Sequence, residues 1–110
     1  MIIFKKGVDV SGITKECIQG MFEVARYWGA DITITSVCDG NHKEGSKHYE
    51  GNAFDLRTWD PDKPIGTQLP SEVKIRLMTK LTEVLGVDYD VVVEPTHLHI
   101  EYDPVNKGWK

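Results

Sequence analysis

Residues 46–55 read SKHYEGNAFD. A loop must end and a strand begin inside this stretch. Its first half is polar and has little to bury, whereas NAFDLRTW (52–59) is rich in apolar and aromatic residues. A turn at Gly51 leaves His48 in the loop and puts Asp55 in the strand.

Working outward, the segment from Cys38 to Glu50 is dominated by Gly, Asn, His and charge and reads as one exposed loop. Before it, DITITSV (31–37) alternates with β-branched residues and predicts a strand. Further upstream Ile13, Cys17, Ile18, Met21, Val24, Ala25 and Trp28 recur on one face of a helix that Thr14 or Ser11 caps and Gly29 follows. Downstream, DPDKPIGTQLP (60–70) is a connection. Ser71 is the expected N-cap of a second amphipathic helix, with an inner stripe of Val73, Leu77, Leu81 and Val84 or Leu85 and an end at Gly86. YDVVVEPTHLHIEYD (89–103) then gives two strand segments broken at Pro95, which lacks an N–H and has a fixed φ. The expected architecture is α+β: two helices packed on one small, mainly antiparallel sheet.

With 110 residues, no repeat and no linker, the chain is expected to form a single domain spanning 1–110. Hydrophobic content of 40% and charged content of 27% exclude an intrinsically disordered chain. A net charge of −4 without a basic stripe gives no reason to expect nucleic acid or an anionic membrane as a partner. The opening MIIFKKGVDVSG lacks the long apolar core of a signal peptide, so synthesis in the cytoplasm is expected. No stretch approaches the roughly 20 apolar residues that span a bilayer. Cys17 falls on the apolar helix face and is expected to be a buried free thiol, unpaired with Cys38. A monomer is expected.

In the last strand a period of two sets His97, His99 and Glu101 on one face, with Leu98, Ile100 and Tyr102 on the other. The apolar side belongs to the core, so the histidines face outward or into a cleft. A single histidine on a surface strand is ordinarily a solvated residue. Here all four, His42, His48, His97 and His99, fall in two short non-helical segments. Catalytic zinc takes three N or O ligands and leaves a fourth position open, and His48, Asp55 and His99 supply such a set. Glu94, at the Pro95 break, is the candidate general base, with a solvent-facing loop acid as the plain alternative. Glu101 either orients a ligand imidazole or stays solvated. His42 and His97 are left to stabilise charge developing on a substrate. Asp60 and Asp62 in RTWDPD offer a second cation site, against the commoner reading of a solvated acidic turn.

These residues resemble the zinc D-Ala-D-Ala carboxypeptidase and murein endopeptidase superfamily, to which the metal-binding domain of hedgehog signalling proteins is related. The motif S-x-H-x-x-G-x-A-x-D stands here as Ser46, His48, Gly51, Ala53 and Asp55, complete at its five defined positions. EPTHLHIEYD is similar to the E-x-x-H and H-x-H endings of different branches, and the stretch from 31 to 59 looks like small phage-encoded members. The resemblance covers about residues 10–104. It implies zinc held by His48, Asp55 and one C-terminal histidine: His99 on the H-x-H pattern, His97 on the E-x-x-H pattern. The H-x-H pattern is the preferred match, with His99 as the ligand. It also aligns His42 with a histidine beside the attacking water and Glu94 with the acid that serves as base. Two departures stand out. Lys43 is the lone cation where many D,D-peptidases carry a substrate-binding arginine, and Thr96 occupies the place of an acid before the H-x-H.

The resemblance implies a zinc metallopeptidase that hydrolyses peptidoglycan peptides, as a D,D-carboxypeptidase or an endopeptidase, and meets the bacterial cell wall after release or in the virion. The alternatives are a non-enzymatic zinc-binding hedgehog-like module and a virion structural component.

Overall fold

The computed structural model describes residues 1–38 and 47–104. The elements in chain order are β1 (Ile2–Phe4), α1 (Lys15–Trp28), β2 (Ile32–Ser36), a short 3-10 helix (Lys47–Glu50), β3 (Ala53–Arg57), α2 (Ser71–Leu85), β4 (Tyr89–Val93) and β5 (His97–Tyr102). The strands form one sheet in the order β1-β2-β3-β5-β4. Only β1 and β2 pair in parallel, through the crossover that α1 supplies; the other three pairings are antiparallel. The fold is therefore α+β, two helices with a five-stranded mixed sheet.

α1 forms where the apolar spacing places it. The Thr14 hydroxyl accepts from the Cys17 N–H, and Gly29 closes the helix in the left-handed region at φ 69°, its N–H donating to Ala25 O. α2 begins differently from the expectation. Ser71 is its first helical residue, and Pro70 takes the cap position without a side-chain bond. The extended proline still accepts the first N–H groups, from Val73 at 3.0 Å and Lys74 at 3.1 Å, on its carbonyl. Of the alternative stripe residues, Leu85 joins the core and Val84 is exposed. The strand β1 went unforeseen because three residues are too short for a period to show.

The core lies on one face of the sheet. Phe54 and Leu56 of β3 meet Leu98 and Ile100 of β5 as direct cross-strand partners, with Cys17, Met21 and Val24 from α1 and Leu81 from α2 above them. Each of these large side chains contributes about 1.5–3 kcal/mol on full burial. Cys17 is a buried free thiol, and burial pushes it up to about 12. Because strand residues alternate, the same strands turn Asp55, Arg57, His97, His99 and Glu101 to the opposite face. Among the described residues no helix is long and apolar enough to cross a membrane.

Candidate metal centre

Asp55 sits in the middle of β3, and His99 is its direct cross-strand partner in β5, so both side chains rise from the open face side by side. His48 arrives from the 3-10 helix, which packs against β3 and β5. The chain reverses between that helix and β3 at Gly51, with φ 73°, and Gly51 O accepts from the Thr14 N–H at 3.1 Å. His48, expected in an exposed loop, is instead buried in a short helix, because Gly51 ties that helix to the start of α1.

Three donor atoms converge. His48 Nε2 lies 3.0 Å from Asp55 Oδ1 and 3.2 Å from His99 Nδ1, and His99 Nδ1 lies 3.2 Å from the same Asp55 oxygen. An ion held tetrahedrally at 2.0–2.1 Å separates its ligand atoms by about 3.3 Å, so this triangle has the size of one face of such a shell.

The outer partners decide what the three atoms offer. His48 Nδ1 is 2.7 Å from Val37 O, and His99 Nε2 is 2.7 Å from Glu101 Oε1. A carbonyl and a carboxylate only accept, so the protons of the neutral rings belong on His48 Nδ1 and His99 Nε2. Each ring then aims a lone pair at Asp55 Oδ1. Three electron pairs facing one another need a positive charge between them, either a proton or a metal ion.

The electrostatics agree with this geometry. Burial raises the Asp55 carboxyl, but its hydrogen bonds with His48 and His99 outweigh that and hold it well below the ordinary carboxylate range. Burial likewise disfavours the His99 cation, but Asp55 and Glu101 raise it above the ordinary histidine value. A proton there competes with a metal for the same lone pairs. Asp55 and Glu101 together carry the charge that balances one divalent ion.

Val37 O reaches His48 because β2 is irregular. Ile34 pairs with Leu56 and Ser36 with Asp55, leaving Thr35 as an extra residue, and such a bulge bends a strand and re-aims the residues beyond it. Side-chain exposure rises from 1% at His48 through 8% at Asp55 and 17% at His99 to 28% at His97, so the centre opens toward the β5 side.

The remaining sequence candidates take different places. His97 stands at the rim, Nε2 3.6 Å from Asp55 Oδ2 and Nδ1 3.1 Å from Thr96 Oγ1. Glu94 lies in the β4–β5 turn, half-buried, its N–H donating to His97 O at 2.9 Å. Among the described residues its carboxylate makes no hydrogen bond or ion pair. Glu101 is bonded to His99 and half-buried, not solvated. Asp60 accepts from the Asp62 N–H at 2.9 Å in an exposed turn. His42, Lys43 and the motif's Ser46 lie outside the described residues.

Sequence reasoning missed Lys74. It is buried in α2 and donates from Nζ to Pro95 O at 2.7 Å, fixing the turn that carries Glu94. Its position one turn before Leu77 and two turns before Leu81 of the stripe was the available signal.

Replacing Glu101 by glutamine removes the carboxylate that sets the His99 tautomer. Metal affinity is expected to fall about 10–100-fold with the fold intact, as isothermal titration of the metal-free protein would measure. Unchanged affinity would show that Glu101 does not orient the ligand.

No family model matches the chain. It is 30% identical over 108 residues to the Tiggy-winkle hedgehog protein of Danio rerio, a match that takes in 89% of this chain and 24% of that protein. The chain thus spans about a quarter of the length of the curated relative it matches. This distant likeness and the His48–Asp55–His99 group are compatible with a hedgehog-like module able to hold a metal ion.

Proposed function

We propose that this protein is a zinc-dependent peptidase that hydrolyses cell-wall peptides. The observation that carries the reading is the convergence of His48 Nε2, Asp55 Oδ1 and His99 Nδ1 within 3.0–3.2 Å, with their other polar partners already committed. Two imidazoles and a carboxylate form a donor set suited to zinc, and three protein ligands leave a position open toward the exposed side. The five-position motif in the sequence supports the same class.

When bound, zinc would polarise the scissile carbonyl and lower the pKa of water at the open position. Asp55, His48 and His99 would hold that ion; Val37 O and Glu101 keep the two rings from turning. Glu94 is the group assigned to take the proton. The alternation of β4 continued by one residue puts it on the face of His97 and His99, and its carboxylate has no competing partner among the described residues. His97, beside Asp55 at the rim, is the group assigned to donate to charge growing on the substrate oxygen.

Glu94→Gln keeps the shape and removes the base. It should retain one equivalent of zinc and lose about 10²–10⁴-fold in hydrolysis of purified murein, followed by mass spectrometry of released fragments. Turnover at the parent rate would take Glu94 out of the mechanism. A second reading, a non-enzymatic module that keeps its metal for stability or partner binding, is favoured by the hedgehog likeness. Zinc-loaded protein that releases no murein fragment at all would decide for it.

A further inference from the structure

Arg57 ends β3 on the open face. It is two residues beyond Asp55 and directly across from His97. Its guanidinium lies 3.8 Å from the centre of the Trp59 ring. Among the described residues no acid pairs with it and no carbonyl accepts from it. A half-buried arginine without a counter-ion is unusual in a chain of net charge −4, where acids outnumber Lys and Arg by 17 to 13.

Stacking on an indole holds the guanidinium plane and leaves its N–H edge free. That fork matches a carboxylate in two-point geometry, which a lysine cannot reproduce. Arg57 and Trp59 also line a groove of about 700 Å³, walled further by Trp28, Pro61 and Leu69. Asp31, the acid on that groove, is engaged by the Met1 amine at 3.3 Å. The groove is therefore mainly apolar, with Arg57 as the cation on its lining.

We infer that Arg57 is the substrate-binding group that selects a peptide carboxylate lying two to three residues from the bond being cut. The spacing is set by the strand. The Asp55 and Arg57 Cα atoms are about 6.6 Å apart and Trp59 lies about as far again, so the guanidinium sits roughly 7–13 Å from the metal ligands. An extended peptide covers this in two to three residues at about 3.3–3.6 Å each. Removal of a single terminal residue would bring its carboxylate too close to the metal to reach Arg57. The site thus favours cleavage inside the peptide. This rests on the peptidase reading for the word substrate, but the anion site itself does not require turnover.

The carboxylate could belong to the chain end or to an acidic side chain, and three probes separate these sources: a murein stem pentapeptide, its C-terminal amide, and the form with its internal acidic group amidated. With zinc-loaded protein, amidating the recognised carboxylate should raise KM about tenfold and leave kcat within about twofold. Arg57→Gln should impose the same rise on the free acid and become indifferent to amidation, while Arg57→Lys recovers part of the loss. The inference is overturned if the parent protein treats acid and amides alike, or if substitution and amidation multiply instead of replacing one another. Calorimetric titration of the same peptides separates the two readings. Acid-selective binding that disappears in Arg57→Gln, without any cleavage, keeps the anion site and removes the peptidase. Cleavage without acid selectivity does the reverse, and absence of both removes the anion site.

Discussion

Asp55→Asn is expected to abolish tight zinc binding, lowering affinity by at least about 100-fold, while leaving the protein folded. The loss should exceed the 10–100-fold that an outer partner such as Glu101 costs, because Asp55 is the shared corner of the triangle and the one charged donor in it. The fold should survive because asparagine has the same shape, and its NH2 can donate to a lone pair that the carboxylate faced. The comparison therefore separates loss of metal from loss of structure. In the parent protein, zinc at about a thousand times its Kd adds about 4 kcal/mol, which raises Tm by about 15 °C or more. In the variant the same zinc should leave Tm where it was. The acid limb should change as well. A carboxyl held below its ordinary value of 3.8 adds stability above that value, and this is lost as pH falls through the folded value. Without zinc the parent should therefore weaken in strong acid more steeply than Asp55→Asn. One equivalent of zinc bound equally tightly by the variant, or a parent Tm that zinc does not move, would remove the metal centre as described.

The convergence of His48, Asp55 and His99 was legible because a strand periodicity and a glycine turn met in it. Alternation in HLHIEY turns His97 and His99 away from Leu98 and Ile100 whatever the neighbours are, and the glycine turn between His48 and Asp55 folds those two back on each other. The illegible parts came from backbone and from long side chains. Val37 O is a main-chain atom delivered by a bulge, and no residue type announces a bulge at Thr35. Lys74 escaped because apolar patterning counts a lysine as polar. Its stem is buried with the stripe, and its ammonium is offset by one carbonyl. β1 depends on a partner some thirty residues away, a non-local pairing with no trace in three letters. Arg57 was visible as a strand residue, but its lack of a counter-ion among the described residues is a property of the assembled face alone.

Among the described glycines, Gly51→Ala should be the most damaging substitution. The conformation is one reason: at φ 73° a residue with a Cβ costs about 1–2 kcal/mol. The neighbour is the other. A Cβ at Gly51 would lie 1.9 Å from Gly12 O and 2.7 Å from Gly12 C, both backbone atoms that no rotamer change can move aside. Forcing the two segments apart adds about 1–3 kcal/mol, as overpacking does elsewhere, for a total of about 2–5 kcal/mol. The separation would also break the bond from the Thr14 N–H to Gly51 O and weaken the contact of the Thr14 hydroxyl with Asn52 Oδ1, now 2.7 Å. Thr14 caps α1, so damage at the turn spreads into that helix. Geometry carries the damage to the metal. His48 precedes the turn by three residues and Asp55 comes four after it, so a shift there opens the His48–Asp55 distance of 3.0 Å directly. Thermal unfolding of the metal-free protein should show a Tm lower by about 10 °C or more. Titration should show weaker zinc binding even at temperatures where the variant remains folded. Gly29→Ala is the control, because its φ of 69° carries the same conformational penalty but its added methyl meets nothing within 4 Å. If the two variants lose equal stability, the close approach of Gly51 to Gly12 contributes nothing, and the glycine of the motif serves the turn alone.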